Sequence, residues 1–144
     1  TVHTTIYIKS NANFNERLAT YLGDLGAHLF FKETTNGSEE LLALAKEEDH
    51  DQKIFGEFIS EQIKLIVQWY SANKNNPQIE VERQGKFDFI KKEFKDSVLP
   101  RHKTKRYIGF AESKLNNARM LGLKLYMNDL SDFDKLTEKF SGDF

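Results

Sequence analysis

Cysteine is absent from the 144 residues. That excludes disulfides, thiolate metal sites and thiol nucleophiles, and it agrees with a reducing compartment. Proline occurs only at Pro77 and Pro100, so no proline-rich linker divides the chain. Net charge is nearly nil: 21 basic residues stand against 22 acidic ones. No global field draws the protein to nucleic acid or to an anionic bilayer. No apolar run approaches the ~18 residues of a membrane span, and "TVHTTIYIKS" lacks the basic start and apolar core of a signal peptide. The expectation is a cytoplasmic protein with no membrane contact and no nucleic-acid partner. Walker, G-x-G-x-x-G and G-x-S-x-G patterns are missing, and no cofactor is expected. The length fits one domain over 1–144, large enough to bury its own core.

What is present is alternation. Short β-branched and aromatic runs at 3–10, 27–34, 78–84, 104–110 and 123–128 read as strands. Helical spacing lies between them. Phe14, Leu18, Tyr21, Leu22 and Leu25 share one face, with Gly26 as a C-terminal stop. Ser38 caps a long helix that opens with Glu39 and Glu40. Its apolar spacing resumes at Phe55, Ile59, Ile63, Ile66 and Tyr70, although 64–71 also reads as a strand. Phe87, Ile90, Phe94 and Val98 mark another helix, and Phe133, Leu136 and Phe140 a closing one. Repeated β-α units predict an α/β fold: a three-layer, Rossmann-like domain with a mainly parallel sheet of about five strands.

The C-terminal quarter, "KRYIGFAESKLNNARMLGLKLYMND" and the helix after it, resembles haloacid dehalogenase-like (HAD) phosphatases over residues 105–140. Ala118-Arg119, Gly122 and "LKLYMND" carry the match. The resemblance implies a Rossmann-like sheet. It also implies acidic metal ligands where Gly109 and Phe110 stand, and an aspartyl nucleophile where Ser10 and Asn11 stand. Those acids are absent, so the implied relative is a pseudoenzyme. The opening "IYIKSNANFNERLATYLGDLGAHLFFKE" is similar to the first β-α-β of TIR-type domains.

Ligand sites in open parallel sheets lie beyond the carboxyl ends of the strands. That rule gathers Ser10, Asn11, Asn13, Glu33, Thr34, Glu112, Ser113 and Asp129 as a polar crevice. Ser10, Glu33 and Glu112 are the candidates for chemistry. Two H-x-T triplets, His3 with Thr5 and His102 with Thr104, fit paired strands of two-histidine phosphoesterases, where i and i+2 share a face. Arg101, His102, Lys103, Lys105 and Arg106 form a basic patch that could meet phosphate. His50, among Glu47, Glu48, Asp49 and Asp51, lacks the glycine of a calcium loop and reads as a solvated face, so no metal is assigned.

These readings lead to a non-catalytic interaction domain, like an immunity protein, antitoxin or inhibitor. It would bind a protein partner or a second copy of itself, or a small phosphorylated ligand. "FGEFISEQIKLIVQWYS", apolar on more than one face, is the expected surface. The alternative is a phosphate-ester or nucleotide hydrolase on a HAD-like, TIR-like or two-histidine phosphoesterase fold.

Overall fold

The computed structural model describes residues 2–34, 39–126 and 130–139. Among them there is no strand. The fold is all-α, and the expected α/β sheet, with the HAD-like and TIR-like architectures built on it, is overturned. The helices are α1 (Val2–Thr5), α2 (Ala12–Thr34), α3 (Glu39–Ala72), α4 (Ile79–Glu93), α5 (Ile108–Glu112), α6 (Asn117–Tyr126) and α7 (Ser131–Lys139). A π-helical turn, Phe94–Val98, and a 3₁₀ turn, Leu99–Arg101, extend α4. Pro100 sits in that last turn, where its missing N–H ends the helical ladder.

Short β-branched and aromatic runs do not by themselves distinguish a strand from a helix. The expected strand 3–10 is the end of α1 followed by an exposed irregular run. Residues 27–34 are the last turns of α2, 64–71 lie inside α3, and 78–84 run into the start of α4. The run 104–110 is a turn followed by α5, and 123–126 close α6; positions 127 and 128 lie outside the described residues. Gly26 does not stop α2. A glycine inside a helix costs about 1 kcal/mol relative to alanine, and eight further residues of helix follow it.

The chain divides into two compact units. Unit 1 is residues 1–46 and 128–144, and unit 2 is residues 47–127, with α3 contributing to both. Unit 1 has a small core of Leu18, Tyr21 and Phe133, with Val2, Phe14, Leu22, Leu25 and Leu130 packed against it. Tyr21 stacks on Phe133, and Arg17 lies over the same ring while pairing with Asp132. Unit 2 has a larger core. Phe55, Ile59 and Ile63 from α3 meet Phe87 and Ile90 from α4, Phe94 and Val98 from the π turn, and Tyr107, Phe110, Leu115 and Met120 beyond. Phe55 stacks on Tyr107 and meets Phe94 and Phe110 edge-on. No described helix is long and apolar enough to cross a membrane.

Candidate functional site

The turn between α1 and α2 brings titratable side chains together in unit 1. Val2 packs against the core and seats α1 on α2. After α1 the chain runs irregularly through residues 6–11, where Ile6, Tyr7 and Ile8 are exposed. Ser10 takes a left-handed backbone, φ 64°, which makes the reversal. Asn11 then caps α2: its side-chain oxygen accepts from the Phe14 N–H at 3.2 Å, and its carbonyl accepts from the Asn15 N–H. Asn15 points back into the turn. Its Nδ2 donates to the Ile8 carbonyl and its Oδ1 accepts from the Ile8 N–H, both at 2.8 Å. Asn15 is 2 % exposed.

This reversal places His3 Nε2 3.5 Å from Glu16 Oε1. The two side chains keep 39 % and 31 % of their surface exposed, so a substrate or ion can reach them. The Tyr7 ring meets the His3 ring edge-on at 6.5 Å. A separation of 3.5 Å is long for a hydrogen bond. It suits two ligands of one ion: donors 2.0–2.2 Å from a tetrahedral centre stand about 3.4 Å apart. Imidazole and carboxylate are donors that zinc accepts. Among the described residues no group of three or more such side chains forms, so His3 and Glu16 stand as a pair.

Unit 2 holds a second polar constellation. Asp51, on α3, is fully buried. It accepts hydrogen bonds from the Lys103 N–H at 2.8 Å, and from the Thr104 N–H and Oγ1 at 2.7 Å each. His50 Nδ1 stands 3.2 Å away. Burial pushes the Asp51 pKa upward, but the Lys103 N–H, the two Thr104 donors and His50 outweigh it and hold the carboxyl well below the usual carboxylate range. His102 packs between Phe94 and Tyr107, and both its ring nitrogens are buried without a hydrogen-bond partner. Burial lowers its pKa; the charge of Asp51 opposes this, and His50 and Arg101 add to it. The constellation fastens a loop and leaves no opening toward solvent around the carboxylate.

The crevice expected at strand ends does not exist, because there are no strands. Ser10 is the turn residue, Asn11 the helix cap, and Asn13 is exposed on the first turn of α2. Glu33 and Thr34 stand at the other end of that helix, about 30 Å from Asn13 at 1.5 Å per residue. Glu112 and Ser113 belong to unit 2, where Ser113 Oγ donates to the Phe110 carbonyl. Asp129 lies outside the described residues. The two H-x-T triplets share no strand face either. His3 and Thr5 are two residues apart on a helix, where i and i+2 diverge, while Thr104 is engaged with Asp51. In the basic patch, Arg106 pairs with Glu48 at 3.1 Å, and Lys103 and Lys105 are exposed. Sequence reasoning missed Glu16 altogether. Its signal was an Asn-rich helix start, "NANFNE", thirteen residues from His3 at its glutamate.

A family model described as "Putative aminopeptidase" matches residues 1–144. The chain belongs to that family. No curated protein and no solved structure matches it. Membership of an aminopeptidase family overturns the expected non-catalytic immunity-, antitoxin- or inhibitor-like role. It equally overturns the alternative of a phosphate-ester or nucleotide hydrolase, since an aminopeptidase acts on a peptide bond. The HAD resemblance rested on Ala118-Arg119 and Gly122, yet in α6 Ala118 is exposed and a side chain added at Gly122 would meet nothing, so neither makes the close approach to a sheet that the resemblance implies.

Proposed function

We propose that this chain serves a metal-dependent aminopeptidase, with His3 and Glu16 as two of its metal ligands. The observation that carries the reading is the 3.5 Å approach of an imidazole nitrogen to a carboxylate oxygen on two helices locked by one turn. Family membership supplies the reaction, removal of an N-terminal residue by water. A zinc ion bound there would polarise the scissile carbonyl and acidify water. The chain's own part is to hold the two ligands at a fixed spacing, partly open to solvent. Residues 6–8 sit beside the pair and offer exposed apolar side chains to a peptide.

The enzymatic test uses the complete gene product on aminoacyl 4-nitroanilides. Hydrolysis that a chelator stops, that zinc restores and that His3→Ala or Glu16→Gln abolishes supports the reading. Full hydrolysis by both variants, or full hydrolysis in chelator, refutes it.

A further inference from the structure

We infer that Asn15 is a positioning residue for the metal pair: its side-chain amide, closed on both backbone groups of Ile8, sets the spacing between His3 and Glu16. This rests on the metal-ligand reading above.

Besides the Asn15 bonds, residues 6–11 are held by the Ile6 N–H on the Val2 carbonyl, the Asn11 N–H on the Ile8 carbonyl and the Asn11 cap. Ile6, Tyr7 and Ile8 are 45 %, 63 % and 46 % exposed, so packing does not fix their path. Asn15 is 2 % exposed in the middle of this open segment. Its two 2.8 Å hydrogen bonds use one donor and one acceptor on a single residue. Only a carboxamide supplies both from one short side chain. Asparagine is a poor helix former, so its place one turn into α2 needs a reason beyond the helix. Glu16 is the next residue, and His3 lies five residues before Ile8. The ring closed from Ile8 to Asn15 therefore joins the segment that follows His3 to the residue before Glu16, beside the packing of Val2 that seats α1 on α2. Asn15 bonds neither ligand directly, so its effect belongs at or below the low end of the about 10- to 100-fold that a partner bonded to a ligand carries.

The test is cobalt(II) binding by the complete gene product and its Asn15→Leu, Asn15→Asp and Glu16→Gln variants, read by affinity and by the visible d–d spectrum. Asn15→Asp keeps an acceptor for the Ile8 N–H but sets a carboxylate oxygen against the Ile8 carbonyl; far-UV circular dichroism checks that both variants fold. The expected result is a dissociation constant raised up to about 10-fold in Asn15→Leu, with an altered d–d band in both variants. Hydrogen exchange at the Ile8 N–H should quicken in Asn15→Leu and not in Asp. Glu16→Gln should lose the spectrum. If Glu16→Gln binds cobalt as the unmodified protein does, the metal reading itself fails. If Glu16→Gln loses the metal while both folded Asn15 variants keep native affinity and spectrum, the positioning role is overturned.

Discussion

Unit 1 and unit 2 each tie an irregular segment to a long helix through one buried polar side chain, and the two ties differ in charge. In unit 2 the side chain is Asp51, a carboxylate taking three hydrogen bonds from Lys103 and Thr104. In unit 1 it is Asn15, a neutral amide giving one bond and taking one at Ile8. The charged tie sits beside the larger aromatic core and closes a loop. The neutral tie sits in the thinner unit and leaves His3 and Glu16 partly open. Tight packing accompanies the buried carboxylate; the uncharged Asn15 clip fixes the turn beside the partly exposed His3 and Glu16 without adding an anion there.

The comparison can be broken at four places. The largest effect belongs to the core beside the charged tie. Phe94→Ala removes a fully buried ring that meets Phe55, Phe58 and Phe110, and should destabilise unit 2 by about 3–5 kcal/mol in urea unfolding. Asp51→Asn follows, at about 2–3 kcal/mol, because an amide presents N–H groups to donors and loses the charge. Its sign with pH is fixed. The folded carboxyl is held below its unfolded value of about 3.9, so the stabilisation is present above that value. It is lost as the pH falls below it toward the folded pKa. The unmodified protein should therefore lose stability on acidification between about pH 5 and 2 in a way that Asp51→Asn does not. A parallel acid arm in the variant would show that Asp51 is not the group responsible.

Asn15→Leu should cost less, about 1–2 kcal/mol, chiefly from the unpaired Ile8 N–H, since the Ile8 carbonyl still accepts from the Asn11 N–H. Since asparagine does not titrate, that deficit should be equal at pH 5 and pH 8. A pH-dependent deficit would mean that the clip acts through a charged neighbour. The smallest effect has the opposite sign. Ser10 holds a left-handed backbone, φ 64°, at a cost of about 1–2 kcal/mol. Glycine removes that cost but adds about 0.5–1 kcal/mol of unfolded-state entropy, so Ser10→Gly should stabilise by about 0.5 kcal/mol in thermal melts.

Helical faces were legible in the sequence. Phe87, Ile90, Phe94 and Val98 stand at helical spacing and all four are buried; so are Phe55, Ile59 and Ile63. What misled was the stretches between them. Runs such as "AHLFFKET" and "KLIVQWYS" have strand composition, yet each continues a helix already under way, and a long helix propagates through poor formers once packed. Leu136, expected inward, is 40 % exposed. The two ties were not legible, because nothing in periodicity marks a polar residue for burial. Asp51 sits in an acidic run that reads as solvated, and its donors come from residues 52 and 53 positions later. His3 was read as half of an H-x-T strand. Its pairing with Glu16 depends on a reversal made by Ser10, Asn11 and Asn15 acting together, which no single residue type announces.

The most direct measurement is nitrogen-15 NMR of the histidine rings as zinc is added to the protein. The His3 Nε2 resonance should move to the range of a metal-bound imidazole nitrogen, and the shift should vanish in Glu16→Gln. An unmoved His3 Nε2, or zinc taken up at His50 instead, would contradict the assignment of His3 and Glu16 as a metal-binding pair.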